Sequence, residues 1–483
     1  MQYGANVDHV TWSREPEMTA WNSHFSSWHH RASHRARRDA GRARRKRYPL
    51  EAHAEIARKK LRTDPLGILR DQDQNRVTEL VPIRYGRMSR SPYTFMRGAA
   101  AVMASDLALM PRTDMSVQLG GDSHLGNFRF FHSPERRLVF DVNDFDETLP
   151  GPFEWDVKRL ATSVFVVAMN NDLSPRKCRE AARSAVRSYR ETIAFLATLS
   201  RLDLHYYRIE VEDLFELIDD KKSMQHTRKM RDKAVRKNSL SALAKLTDII
   251  DGRRVIVPDP PLVQPISASM AYDEFESLTR MFEHYRETLP LDRRHVLDYF
   301  SLVDMADKVV GVGSVGTRCK ILLLESGGGV PLFLQFKEAT ASVFEPFLGP
   351  SEFENAGQRV VEGQRMIQAA SDIFLGYARW QGPDGASHDY YIRQLWDGKG
   401  KFDVESMGGG ALRRFAGFCG KAMARGHARS GDVQMIRGYL GDEEVFDYAV
   451  TEFAEAYAAR TQSDHATLCA AIDRGEIEVI RDL

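Results

Sequence analysis

Two short polar loops, each bordered by apolar segments typical of strands, most restrict how this chain can fold. The first reads Gly-Asp-Ser-His-Leu-Gly-Asn over residues 121–127, and the second reads Asn-Asp-Phe-Asp over residues 143–146. Apolar runs at 116–119, 128–131 and 137–142 lie beside them, and short runs of this kind between turn residues predict strands. The carboxylate, amide and imidazole groups of both loops are therefore expected at strand ends, where they can share one site.

The composition is that of an ordinary globular protein. Hydrophobic residues make up 43% and charged residues 28% of the 483 residues, which excludes a disordered or fibrous chain. Lys and Arg total 68 against 67 for Asp and Glu, so nucleic acid is not an expected partner. The four cysteines form no Cys-x-x-Cys pair, which argues against a zinc site. Without a signal-peptide pattern or an apolar run long enough to span a bilayer, the expectation is a cytoplasmic protein with no membrane partner.

The spacing in the first loop matches the catalytic loop of protein kinases. There an Asp accepts the proton of the substrate hydroxyl, and an Asn five positions later holds magnesium, so Asp122 is the predicted base and Asn127 a predicted metal ligand. Asp144 takes the place of the metal-binding Asp of the Asp-Phe-Gly motif, with Asp146 in place of Gly. Carboxylate and amide oxygens suit magnesium. Each residue alone is equally typical of a turn or a helix cap, and only their joint order favours a site.

A glycine-rich segment occurs much later in the chain. Gly-Val-Gly-Ser-Val-Gly occupies residues 311–316 and precedes the strand-like Thr-Arg-Cys-Lys-Ile-Leu-Leu-Leu. A dinucleotide-binding loop needs a helix at that point, so this alternative is disfavoured. A glycine loop between two strands is instead typical of the kinase lid over the ATP phosphates. The predicted nucleotide-binding residues of the loop are Gly311, Gly313, Ser314 and Gly316.

A lysine and a glutamate complete the predicted nucleotide site. Lys337 ends the next predicted strand, from which a lysine can reach the α- and β-phosphates. The following helix should supply a glutamate to pair with it, and Glu362 is favoured over Glu354. Residues 390–396 are the expected connector at which an adenine would stack. A solvated edge-strand lysine and exposed helical glutamates are the alternatives.

The two polar loops, together with the Gly-Pro and Asp156 that follow them, resemble the aminoglycoside and choline kinase-like families. The resemblance implies that Asp122 is the catalytic base and that Asn127 and Asp144 hold magnesium. It also implies that His124 is a catalytic-loop histidine and that Asp156 is a structural aspartate at the start of a helix. From about residue 81 to 427, the chain more closely resembles a bacterial family called domain of unknown function 2252, whose name implies no activity.

The chain departs from the kinase-like families in two ways. Gly120 stands where those families usually have a histidine before Gly-Asp. The glycine loop and Lys337 follow the catalytic loop instead of preceding it, which predicts a circular permutation. Such rearrangements are physically tolerable because the termini of domains often lie close together.

These observations predict an α+β, protein kinase-like fold of two lobes, one mostly helical and one a smaller antiparallel sheet. The predicted parts are a basic, partly disordered N-terminal arm (1–60), the catalytic-loop part of the helical lobe (80–200), a helical insert (201–300), the nucleotide-binding sheet lobe (301–400) and the C-terminal helices of the helical lobe (401–483).

The predicted function is ATP- and magnesium-dependent transfer of a phosphoryl group to a hydroxyl-bearing acceptor, with a small molecule favoured over a protein. The sequence does not identify the acceptor or the oligomeric state. One alternative is a nucleotide-binding pseudokinase without catalysis, and another is nucleotidyl transfer. A metal-dependent phosphoesterase is a third, although it would need more histidines than His427 supplies.

Overall fold

Antiparallel strands and helices share the chain, so the expected α+β class is confirmed. The computed structural model describes residues 32–216, 224–225, 228–229, 231–232, 239–266, 272–382, 385–395, 400 and 402–481. Three predicted features therefore lie partly outside the described residues. They are the first 31 residues of the N-terminal arm, parts of the insert at 201–300, and the end of the connector at Trp396.

The described N-terminal residues form short helices. In chain order these are α1 (His34–Arg44), α2 (Pro65–Asp73), α3 (Val81–Met88), α4 (Pro92–Gly98) and α5 (Ala100–Ala108). Local sequence explains their starts: Asp64 caps α2 by accepting from the backbone of Leu66 and Gly67. Ser91 and Thr94 form a reciprocal capping box at the start of α4.

Both polar loops emerge from two small antiparallel pairs of strands. The elements are β1 (Ser116–Leu119), β2 (Phe128–His132), β3 (Leu138–Val142), β4 (Leu149–Pro152) and the buried helix α6 (Phe153–Asn170). Leu119 lies opposite Leu149 in the first pair, and Phe128 lies opposite Val142 in the second. Because each loop runs from one pair to the other, their ends are fixed side by side.

The span 201–300, predicted as a helical insert, contains strands as well as helices. The elements after α6 are α7 (Pro175–Leu196), α8 (Arg201–Tyr206), α9 (Val211–Glu216), α10 (Ser239–Leu246), β5 (Thr247–Ile250), β6 (Arg253–Ile256), β7 (Val263–Pro265), α11 (Tyr272–Glu287) and α12 (Leu291–Leu297). Strands β5 and β6 form a hairpin, and β7 joins the edge of a larger sheet.

That larger sheet has six antiparallel strands. Its remaining elements are β8 (Phe300–Lys308), β9 (Cys319–Ser326), β10 (Pro331–Ala339), α13 (Glu345–Leu348), α14 (Ala356–Ile367), β11 (Gly376–Gln381) and β12 (Ser387–Gln394). The spatial order is β11-β12-β10-β9-β8-β7. Strand β10 lies between two partners and is buried along its whole length, so the charged side chain of Lys337 needs a counter-charge.

The C-terminal helices return to the N-terminal half of the chain. They are α15 (Gly409–Ser430), α16 (Val433–Leu440) and α17 (Val445–Asp473). Glycines permit their close packing: a Cβ at Gly420 would lie 2.1 Å from the carbonyl oxygen of Ala185 in α7, and one at Gly41 would lie 2.0 Å from that of Met435. Buried residues within 93–197 and 402–458 thereby share one hydrophobic core. Among the described helices, none combines the length and apolarity that crossing a membrane requires.

Candidate functional site

Helix α6 holds the first polar loop through a buried carboxylate. Asp156, in the first turn of α6, accepts hydrogen bonds from the backbone N–H of Gly120 at 2.7 Å and of Gly121 at 3.1 Å. Gly121 has φ of +87°, and a Cβ there would lie 2.4 Å from the carbonyl oxygen of Glu147, so glycine is needed for the two loops to touch. His427 of α15 lies 3.2 Å from Asp156 through Nε2. Asp156 is therefore the anchor of this loop.

The predicted base and its neighbours form a compact cluster. Asp122 accepts from Arg159 of α6 at 2.5 and 3.0 Å through Oδ1, while its Oδ2 lies 3.7 Å from Nε2 of His124. Burial raises the pKa of Asp122, and the positive charge of Arg159 opposes that rise. Asn127 donates from Nδ2 to the carbonyl oxygen of Asp122 at 2.6 Å, which fixes its side chain and leaves Oδ1 for another partner.

The second polar loop meets the lysine of the large sheet. Lys337 is 3% exposed; its Nζ lies 3.6 Å from Oδ1 of Asp144 and forms a closer ion pair with Asp146. Tyr391 of β12 donates to the other oxygen of Asp146 at 2.8 Å. Segments separated by 191 residues in sequence thus meet at this point.

The charges around Asp144 keep it ionised. Burial opposes ionisation, but the positive charges of Lys337, Arg393 and Arg129 outweigh it and hold the pKa of Asp144 below its ordinary value. Burial also favours the neutral form of Lys337, yet the two carboxylates raise its pKa well above the usual range. Oδ1 of Asp144 is buried and accepts no hydrogen bond from the described residues. Its ion pair with Nζ of Lys337, at 3.6 Å, is longer than a hydrogen bond, so this anionic oxygen retains lone pairs for a further cation.

The glycine-rich segment lies over the same site, between β8 and β9. The hydroxyl of Ser314 donates to Asp146 at 3.4 Å. On its other side the loop is attached to the N-terminal helices, since Arg87 donates to the carbonyl of Gly311 at 2.7 Å and Val77 N–H donates to that of Gly316 at 2.8 Å. Positive φ angles of 73° at Gly311 and 91° at Gly316 explain the glycines at both ends.

A cleft of about 660 Å³ connects these groups. The predicted residues that line it are Asp122, His124, Asn127, Asp144, Gly311, Gly313 and Ser314. Lys337 does not line the cleft itself, but its two ion-pair partners, Asp144 and Asp146, do. Gly316 ends the loop that covers the cleft. The remaining walls come from α2, α5 and residues 339–347. Catalytic-loop, metal-site and glycine-loop candidates therefore face one space.

Glu362 is not brought to this site. It forms an ion pair with Arg365 at 2.9 Å, one turn along α14, and the structure gives Lys337 the carboxylates of Asp144 and Asp146 instead. The face of α14 toward the second loop carries Arg359, which donates to the carbonyl oxygens of Asp146 and Thr148 at 2.8 and 2.6 Å. The helix thus contributes a cation that holds the loop backbone, and the loop contributes the counter-charge of the lysine.

Sequence analysis missed three contributors to the site. Asp146 stands at the position of the motif glycine, so the motif gives it no role, although a second acid two positions after Asp144 is itself a signal in the sequence. Arg159 carries no motif. His427 lies 271 residues from Asp156, and its Nδ1 is 2.9 Å from the hydroxyl of Tyr189. Gly120 stands where the kinase-like families usually have a histidine, and that substitution was the one sequence signal that a distant residue supports the loop.

The oxygen ligands at the cleft are of the kind that binds magnesium, whereas a metal-dependent phosphoesterase needs a cluster of histidines and carboxylates. Within the part of the chain that the structure describes, no three His, Cys, Asp or Glu side chains are arranged to hold a metal ion. His427, the late histidine of the phosphoesterase alternative, is buried against Asp156 and Tyr189. Asn127 and Asp144 offer two oxygens at the cleft, which fits an ion that takes its other ligands from water and phosphates.

Comparison with known proteins identifies one family. The family described as "Uncharacterized protein conserved in bacteria (DUF2252)" matches residues 76–471. No curated protein and no solved structure matches the chain. The match covers both polar loops, the large sheet and most of the C-terminal helices.

Proposed function

The chain belongs to this bacterial family, DUF2252, and we propose that it is an ATP- and magnesium-dependent phosphotransferase of protein kinase-like, circularly permuted fold. One observation carries the proposal: Lys337 of the large sheet lies 3.6 Å from Asp144 of the second polar loop, and Asp146 of that loop bonds both Lys337 and Ser314 of the glycine-rich segment. Phosphoryl transfer requires a lysine for the phosphates and a carboxylate for their metal within one covered cleft. Both are present, although 191 residues separate Lys337 from the same polar loop.

The order of elements in the sheet supports the same proposal. Strand β8, the glycine loop, β9 and β10 follow one another, so Lys337 stands on the third strand of this series, and the short helix α13 and then α14 come after it. Protein kinases carry their phosphate-binding lysine on the third strand of their sheet, downstream of the glycine-rich loop. In this chain the catalytic-loop segment precedes that series, and the C-terminal helices complete the core around it. This order is the basis for proposing a permutation.

Each residue of the cleft has a role in the proposed reaction. Asp122, which lines the cleft, takes the proton of the acceptor hydroxyl through Oδ2, since Arg159 bonds Oδ1. The acceptor oxygen forms a bond to the terminal phosphorus of ATP, the bond from that phosphorus to the bridging oxygen breaks, and ADP leaves. Magnesium, when bound, neutralises charge on the phosphates. Asn127 and Asp144 would hold it, and Lys337 would bind the phosphates nearer the nucleoside.

Nucleotide binding tests the proposal with a matched control. Lys337→Ala should weaken MgATP binding by about tenfold to a hundredfold, because a charge-assisted contact contributes roughly 1.5–3 kcal/mol. Lys320 lies on the neighbouring strand β9, is also buried and pairs with Asp307 at 2.8 Å, so Lys320→Ala is the control for loss of a sheet lysine. Calorimetry should show nearly unchanged affinity for the control. Equal effects of the two variants would contradict the assigned role of Lys337.

Product analysis separates the proposal from its alternatives. Incubation with MgATP and a set of hydroxyl-bearing small molecules, followed by mass spectrometry, should give ADP and a phosphorylated acceptor. Pyrophosphate with a nucleotidyl-acceptor would identify nucleotidyl transfer instead. Binding of MgATP without any product, while Asp122→Asn changes nothing, would favour a pseudokinase.

A further inference from the structure

The side chain of Val312, the second residue of the glycine loop (311–316), lies in a hydrophobic cluster built from helices. Val312 is 8% exposed, and the cluster consists of buried residues from α2–α5 and α17, together with Ile477. Among the described residues of that cluster, Val312 is the one contributed by the span 300–395, which carries strands β8–β12. Withdrawing an apolar side chain from such a cluster into water is unfavourable. The glycine loop connects two strands of the sheet, yet it is anchored among helices.

Helix α4 contacts the backbone of the same loop directly. A Cβ on Gly313 would lie 2.8 Å from the carbonyl oxygen of Arg97, so this close approach requires glycine. Arg76, which follows α2, adds a hydrogen bond to the carbonyl of Val315, beside the hydrogen bonds at the two ends of the loop described above. Gly313 is therefore required by the packing of the loop on α4, independently of what the loop covers.

The turn of α4 that contacts the loop also contacts the residue that orients the predicted base. Arg159, which bonds Oδ1 of Asp122, donates to the carbonyl oxygen of Met96 at 2.7 Å. Met96 and Arg97 are consecutive residues of α4. The glycine loop and the arginine that holds Asp122 are thus supported by neighbouring carbonyl groups of one short helix.

We propose that Val312 fixes the glycine loop to the helices that support Asp122, so that the roof of the cleft is closed before any ligand binds. Val312 is a positioning residue in this arrangement, because its side chain acts through the loop. The inference rests on the proposed function for the identity of what the loop covers, the phosphates of ATP. A roof that is already ordered spares the nucleotide the entropic cost of ordering it on binding.

Hydrogen exchange of the loop amides, measured by mass spectrometry on the full-length protein without ligand, tests this attachment. The amides of Val315 and Thr317 donate within the loop at 3.3 and 3.2 Å and should be protected in the wild type. Val312→Thr keeps the shape of the side chain but places a hydroxyl in the apolar cluster. It should speed exchange of the loop amides by about tenfold or more. Val312→Ile, which keeps the side chain apolar, should retain most of the protection.

Val263→Thr is the matched control, because Val263 of β7 is 5% exposed and packs in a different cluster within the sheet. It should leave exchange of the glycine loop at the wild-type rate. Arg87→Gln, which removes the hydrogen bond to Gly311 at a partly exposed position, should speed loop exchange in the same direction as Val312→Thr. The test therefore does not depend on a single buried substitution.

Two results would overturn the inference. One is exchange of the wild-type loop as fast as in an unstructured peptide, and the other is equal acceleration in Val312→Thr and Val263→Thr. Because these measurements contain no nucleotide, their outcome is separate from that of the proposed function. If the wild type binds no MgATP, the proposed function fails, and the exchange rates still decide whether Val312 holds the loop closed.

Discussion

The ion pair between Lys337 and Asp146 can be tested by a double-mutant cycle, because it joins the large sheet to the second polar loop. The substitutions are Lys337→Met and Asp146→Asn, which keep the size of each side chain and remove its charge. The variants are made singly and together, and the free energy of unfolding is measured for each. The cycle isolates the energy of this pair from other effects of each substitution.

The structure sets the expected magnitudes and their order. Removing one partner of a buried pair costs about 3–5 kcal/mol, and the 29% exposure of the Asp146 side chain lowers this to about 2–3 kcal/mol for Lys337→Met. Asp146→Asn should cost less, since Asp144 remains 3.6 Å from Lys337 as a second partner. When Lys337 is already methionine, Asp146→Asn removes a carboxylate that no longer has its counter-charge. We therefore expect a coupling energy of about 1.5–3 kcal/mol between the two positions.

Urea denaturation followed by tryptophan fluorescence and circular dichroism gives these free energies. The exposed ion pair of Arg176 and Glu180, at 3.0 Å on α7, serves as the control cycle and should yield a coupling below about 0.5 kcal/mol. A coupling energy for Lys337 and Asp146 as small as that of the control would refute the contact. So would Asp146→Asn being the more destabilising single change.

Three further substitutions address catalysis, loop support and pH. Asp122→Asn should abolish turnover while MgATP affinity by calorimetry persists, and retained activity would exclude Asp122 as the base. Asp156→Asn should lower the free energy of unfolding by about 1–3 kcal/mol, because the loop loses a charged hydrogen-bond acceptor. It should also reduce kcat with little change in the KM for ATP. An unchanged kcat would contradict this positioning role. Burial raises the pKa of Glu147 to about 7, so the folded protein holds a proton that the unfolded chain releases at lower pH, and the free energy of unfolding should fall between about pH 4.5 and 7. Glu147→Gln should flatten that part of the urea-denaturation profile, and an unchanged slope would exclude Glu147 as its source.

Local sequence was sufficient for the positions of the polar loops and for several strands and helices. The runs at 116–119 and 128–131 are strands β1 and β2 within one residue, and the helix whose start the resemblance placed at Asp156 begins at Phe153. Such elements follow from short-range patterns of apolar residues, turn residues and caps. The resemblance to a bacterial family was confirmed by the match over residues 76–471.

Spacing also indicated which groups face the cleft, but not how they are paired. Asp122, Asn127 and Asp144 line one space because the strands that carry them pair side by side. The partner predicted for Lys337 was wrong in detail, since the helix that should supply Glu362 turns Arg359 toward the site. Which face a helix presents depends on how it packs against the sheet, and helical periodicity alone does not fix that rotation.

By itself, then, the sequence determined the chemical groups available, their local order and the family of the chain. The tertiary structure decided that Lys337 pairs with Asp146 and that Arg159 holds Asp122. It also decided that His427, on a helix from the far end of the chain, lies against Asp156. These contacts depend on the packing of distant segments around a shared core. A local sequence pattern does not specify the distance or direction between two side chains that only this packing brings together.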